Sequence, residues 1–235
     1  IVATLQHAGS DEGLWKSRPA GDVEANLKAG MTLSNLGLRV GDVRFVIDEI
    51  ERRAKANDSL WRLADTAGIG MSGHSFGAQT TLAISGQKSP NLAGQSGLDT
   101  RITAALAFSP NARNKMNLAR QFGDIRIPFF SVSGTGDGSV LGDGTRWQDR
   151  TLPFEHMKEG AKYLLVLDGA DHMIFGGLDI RRRAKTDNDA RVQQRVKAAS
   201  LAFWRAQLLD DQDAREWLGS EFGKSLDPKD QFKRK

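Results

Sequence analysis

Two spacings of apolar residues alternate along this chain. Nearly continuous apolar runs at 69–72, 102–108, 127–132 and 163–167 predict buried strands, and 1–6 has strand character too. Between them the apolar positions recur every three or four residues. Val43, Val46, Ile47 and Ile50 fall on one face of a helix predicted over 40–56. Val192, Val196, Ala199, Phe203 and Trp204 do the same over 190–209. Shorter helices are expected at 75–84 and 152–159. Residues 11–40 are polar and glycine-containing and offer no strand, and 86–100 is a loop rich in Gly, Ser and Asn. Strands without polar alternation, each followed by a helix, predict an α/β fold: a mostly parallel sheet with helices on both faces. One domain is expected over 1–222, and a charged tail over 223–235 is expected to fray.

Composition narrows this picture only a little. At 235 residues the chain suits one domain with a sizeable core. It has no cysteine, which excludes disulfides, thiol catalysis and zinc–thiolate sites. The net charge of +4 gathers from Arg181 onward, and it reads as a solvated helix face and tail rather than a nucleic-acid or membrane surface. No apolar run is long enough to span a membrane. The start at Ile1, inside a strand-like run, implies upstream sequence that has been removed. A cleaved leader would favour a secreted or periplasmic protein.

The chemistry concentrates after the strands. The run Gly73-His74-Ser75-Phe76-Gly77 has the form G-x-S-x-G between a strand and a helix. Such a turn strains its central serine and lifts the hydroxyl above the sheet, at a helix start where amides can receive negative charge. Glycines at 73 and 77 are expected to relieve crowding in the turn. Serine needs a base, and the base an orienting acid. Of the four histidines, His172 lies beyond the last predicted strand, at the end of the sheet where sites gather. His7 ends the first run, His156 sits in a helical segment, and the His74 side chain is expected to point away from Ser75. Asp137 follows the strand before His172 and is the favoured acid, with Asp143 and Asp171 in reserve. The Phe76 amide is the expected oxyanion donor. Phe76 and Trp147 are candidates to line the acyl pocket, while Trp15 and Trp61 read as packing. The glycine-rich 134–144 loop lacks the features of a P-loop or EF-hand, and no metal or cofactor is expected.

These motifs in order, with Ser133-Gly134-Thr135-Gly136-Asp137 and Gly169-Ala170-Asp171-His172-Met173 around the acid and base, resemble the α/β-hydrolase superfamily. The similarity is to its dienelactone hydrolase and platelet-activating-factor acetylhydrolase-like branch, and also to bacterial polyester hydrolases and lipases. Gln6-His7-Ala8-Gly9-Ser10-Asp11 fits the same resemblance. It implies a serine carboxylic-ester hydrolase acting on a small or polymeric ester through Ser75, Asp137 and His172. It also implies a second oxyanion donor from a loop after an earlier strand. That loop either precedes Ile1, leaving the fold without its N-terminal strands, or is the loop at Ala8 or Gly9. A crippled, non-catalytic binding protein, or an acyltransferase or peptidase using the same residues, is the alternative.

Overall fold

A computed structural model describes residues 1–8, 23–58, 60–88, 97–112, 114–139, 141–177 and 187–235. In chain order the main elements are α1 (Val23–Gly30), α2 (Leu33–Lys55), β1 (Ile69–His74), α3 (Phe76–Ile84), β2 (Ile102–Phe108) and α4 (Leu118–Phe122). These are followed by β3 (Phe129–Gly136), α5 (Leu152–His156), β4 (Lys162–Asp171), α6 (Asp187–Leu208), α7 (Gln212–Glu216) and β5 (Gln231–Arg234). The fold is α/β. Among the described residues five strands lie in the order β1-β2-β3-β4-β5, the first four parallel and β5 antiparallel to β4.

The period-two geometry of β2 shows why both faces are covered. Ala104 and Leu106 point into a core with Phe130, Leu165 and the α6 residues Val192, Ala199 and Phe203. Ala105 and Ala107 point the other way, against Ala78 and Leu82 of α3 and Phe122 of α4. Every one of these side chains is buried, so β2 carries no polar face, as a strand inside a doubly covered parallel sheet requires. A third cluster seats α2 on α3 through Leu36, Val40, Val43 and Ile47. Among the described residues, no helix is long and apolar enough to cross a membrane.

Three expectations change. The 1–6 run forms no strand. Ile1 and Val2 are exposed, Leu5 leans on the α2 cluster, and His7 Nδ1 meets Asp42 Oδ2 at 2.7 Å. Side chains, not a backbone ladder, hold this segment to α2, and β1 lies at one edge of the sheet. The helix expected over 40–56 begins earlier. Thr32 Oγ1 accepts from the Asn35 amide and starts α2 seven residues ahead of the expected 40, with Leu36 extending its apolar stripe despite Gly37 and Gly41. The tail does not fray. Phe232 packs on Tyr163, Phe130 and Phe222, and the Lys235 carbonyl accepts from the Lys162 amide at 2.9 Å. One aromatic side chain with three aromatic neighbours outweighs the charge around it. Trp15 and most of the 86–100 loop lie outside the described residues.

Candidate active site

Each candidate side chain leaves the carboxyl end of a different strand: Ser75 after β1, Asp137 after β3, His172 after β4. Ser75 adopts φ 56° and ψ −110°, a conformation strained for any residue but glycine. Its amide is tied to Phe108 O at 3.0 Å, which anchors the turn to β2. The turn needs its glycines unequally. A Cβ on Gly73 would sit 2.4 Å from the Gly77 carbonyl, whereas a Cβ on Gly77 would meet only the tip of Arg39 at 3.9 Å. The expected crowding therefore falls on position 73 alone. The Ser75 side chain does not cap α3, so its hydroxyl is free for other work.

The three residues form one hydrogen-bonded chain. His172 Nε2 lies 2.9 Å from Ser75 Oγ, and His172 Nδ1 lies 2.7 Å from Asp137 Oδ1. Asp137 is wholly buried and His172 nearly so. Nδ1 donates to the carboxylate, which leaves Nε2 bare to accept the serine proton. Ser133 Oγ donates to Asp137 Oδ2 at 2.8 Å. Burial works against ionising Asp137. The hydrogen bond from His172 and the nearby charge of Arg150 outweigh it and hold the carboxyl below its ordinary range. β3 and β4 approach so closely here that a Cβ on Gly134 would lie 2.3 Å from the Ala170 carbonyl, and a register shift follows at Gly136. That approach sets Asp137 beside His172.

Two residues to which the sequence reading gave no role in the relay complete the site. Arg150 is 5% exposed. It donates from Nε to Asp137 O at 3.2 Å, from Nη1 to Ser109 O at 3.2 Å and from Nη2 to Gly138 O at 3.1 Å. Its Nε is also 3.2 Å from Asp137 Oδ1. One planar group thus ties the ends of β2 and β3 together under the carboxylate. The second is His74. Its ring lies 4.7 Å from that of His172, and its Nε2 donates to the His172 carbonyl at 2.8 Å. Burial, reinforced by His172, lowers the His74 pKa from 6.5 to about 4. It stays neutral near pH 7 and adds no charge beside an imidazolium. Only a weak signal marked either residue: one arginine in a polar stretch, and a histidine within the turn.

The other candidates do not join the relay, although Asp143 lines the niche beside Ser75. The Phe76 ring is buried in the α2 cluster with the Arg39 guanidinium 4.8 Å above it. Trp147 packs on Phe154, Leu164 and Val166. Neither ring lines the space beside Ser75, because each finds a larger apolar surface inside. Asp143 is bound to Ser139 and Thr145, and Asp171 accepts from the amides of Met173 and Ile174, so neither replaces Asp137. Ala8 is exposed and lines neither cavity described below, and Gly9 lies outside the described residues. His156 bonds its own helix at Leu152 O, and Trp61 packs under Arg53.

Beside Ser75 and His172 is a niche of about 30 Å³, walled by Met31, Gln79, Asn111 and Leu141 among others. It shares Met31, Asn111, Leu141, Asp143 and Thr145 with a wider cleft of about 410 Å³ that continues toward Lys28 and Lys115. Among the described residues no cluster of His, Asp or Glu could hold a metal. The chain matches no family model, and no curated protein is significantly similar to it.

Proposed function

We propose that this chain is a serine carboxylic-ester hydrolase with an α/β-hydrolase fold, as the resemblance of its motifs implies. The observation that carries the reading is the buried relay from Asp137 through His172 to Ser75, seated on a strained serine at a helix start. A structural serine has no need of that backbone conformation, and a structural histidine has no need of a buried carboxylate on its far nitrogen.

In this mechanism Ser75 Oγ attacks the ester carbonyl while His172 Nε2 takes its proton. Asp137 holds the Nδ1 tautomer and balances the imidazolium. The first amide of α3, at Phe76, faces the developing oxyanion, aided by the helix dipole. His172 returns the proton to the departing alcohol, and a water activated by the same nitrogen then releases the acid from Ser75. The non-catalytic reading draws on one observation: Ala8, a proposed second oxyanion donor, lines neither cavity. Loss of such a donor lowers turnover by about 10²–10³-fold and leaves the nucleophile reactive.

The test is hydrolysis of 4-nitrophenyl acetate by the parent chain and by Ser75→Ala and His172→Ala. Turnover that falls at least about 10³-fold in both variants supports the assignment. Equal turnover in the parent and Ser75→Ala overturns it.

A further inference from the structure

Ser109, directly after β2, has a side chain that its backbone does not require. Its φ is 54°, in the left-handed region. Among the described residues it is the one wholly buried residue, other than glycine, with a positive φ. Asn57, Asn117 and Asp210, whose short polar side chains tolerate that region, are exposed, and Ser75 and Ala161 are half-buried. The Ser109 amide donates to Val132 O at 2.8 Å, and its carbonyl accepts from Arg150 Nη1 at 3.2 Å. Glycine would keep both bonds and adopt this φ without strain. The side chain carries a second cost. Ser109 Oγ is buried with no hydrogen-bond partner among the described residues, and an unpaired buried hydroxyl destabilises a fold.

The acid of the relay is the group beside it. One guanidinium, that of Arg150, binds both the Ser109 carbonyl and the Asp137 carbonyl. A carboxylate accepts at about four lone-pair sites. His172 Nδ1 and Arg150 Nε lie against Asp137 Oδ1 at 2.7 and 3.2 Å, and Ser133 Oγ donates to Oδ2 at 2.8 Å. Among the described residues one site on Oδ2 stays open. Burial opposes ionisation of Asp137. His172 and then Arg150 do most to overcome it, and the Ser109 hydroxyl adds a smaller pull in the same direction.

We propose that Ser109 is a positioning residue for the relay of the ester-hydrolase reading above: its hydroxyl, by a turn about the Cα–Cβ bond, donates to the open site on Asp137 Oδ2. With Ser133 on one lone pair of Oδ2 and Ser109 on the other, the carboxylate is held against rotation and Oδ1 stays aimed at His172 Nδ1. The two hydroxyls also draw on the charge of the carboxylate and moderate its hold on the Nδ1 proton. Ser109 touches neither Ser75 nor the ester and acts through Asp137 alone. The strain and the otherwise unpaired hydroxyl are then the cost of placing a donor where the acid needs one.

The experiment compares Ser109→Gly, Ser109→Ala and Ser133→Ala with the parent chain. It reads kcat and KM for 4-nitrophenyl acetate, the unfolding midpoint in denaturant, and the low-field proton resonance of His172 Nδ1–H in protein labelled with 15N-histidine. Ser133→Ala removes a donor already bonded to Oδ2 and sets the scale of the changes. Ser109→Gly relieves the backbone and should unfold at a denaturant concentration no lower than the parent. Ser109→Ala keeps the strain and removes only the hydroxyl. Both Ser109 variants should lose about three- to tenfold in kcat with KM unchanged, as suits the loss of one hydrogen bond. In both, the Nδ1 proton should move to lower field, because a carboxylate with one donor fewer holds it more strongly. A resonance unchanged from the parent in a folded Ser109 variant overturns the inference, whatever happens to kcat. Equal turnover in the parent and Ser75→Ala overturns the ester-hydrolase reading instead, and the resonance still decides the place of Ser109.

Discussion

Arg150 and Lys162 are two buried cations at opposite ends of the same sheet, and they answer the same problem differently. Arg150 lies at the carboxyl ends of the strands and Lys162 opens β4 at the other end. Each donates to three backbone carbonyls. Lys162 Nζ reaches Arg126 O, Ile127 O and Gly160 O at 3.2, 2.8 and 2.7 Å. Arg150 has a carboxylate beside it as well, whereas among the described residues Lys162 Nζ meets carbonyls alone. The consequence is electrostatic. Burial, with Arg126 and Lys235 adding to it, lowers the Lys162 pKa from 10.5 to about 8. A guanidinium, by contrast, keeps its charge in such surroundings. The same carbonyl clamp thus serves as pure scaffold at one pole. At the other it fixes a permanent positive charge beneath the acid of the relay.

Breaking the two clamps should separate these roles. Arg150→Met removes the guanidinium beside the Asp137 carboxylate and leaves three carbonyls short of a donor. The expected cost is about 3–5 kcal/mol in denaturant unfolding, together with ester turnover reduced at least about 100-fold in the fraction still folded. Arg150→Lys should restore stability better than turnover, because one ammonium cannot serve the ends of β2 and β3 in a single plane. A fully active Arg150→Met would reduce Arg150 to scaffold and dissolve the contrast. Lys162→Met should cost about 1–3 kcal/mol for its unsatisfied carbonyls and leave kcat within about twofold. A larger loss of kcat than of stability would contradict the assignment.

Two titrations sharpen the comparison with smaller effects. The folded-state pKa of Lys162 is depressed, so its contribution to stability is fully present above about 10.5 and is lost as pH falls toward about 8. Stability measured across that window should rise with pH, and Lys162→Met should flatten the rise. His74 at the other pole is depressed as well. Its contribution is fully present above 6.5 and is lost as pH falls toward about 4, because the unfolded chain takes up a proton that the folded one refuses. His74→Asn should flatten that acid slope. An unchanged slope in either variant would show that the titrating group lies elsewhere.

The parts of the molecule that were legible in the sequence are those with local causes. Strands β2, β3 and β4 appear as apolar runs because both of their faces are buried, while the shorter β1 leaves Gly70 and Ser72 exposed. Ser75 is marked by the glycine that its turn demands, and Asp137 and His172 by their places directly after strands. The unread parts depend on partners distant in the chain. Arg150 looks like a surface arginine until the ends of β2 and β3 come together around it. Phe232 sits in a charged tail, and its aromatic neighbours come from three other segments. Phe76 and Trp147 show the converse. Proximity in sequence to the nucleophile or to the acid loop argued for a pocket role, yet apolar surface elsewhere claimed both rings.

The most direct measurement of the central claim is covalent labelling by a small alkyl fluorophosphonate, with the adduct located by peptide mass spectrometry. The account predicts one adduct, on Ser75, that forms far more slowly in His172→Ala and is absent in Ser75→Ala. An adduct on another residue, or none on Ser75 in the folded parent chain, would contradict it.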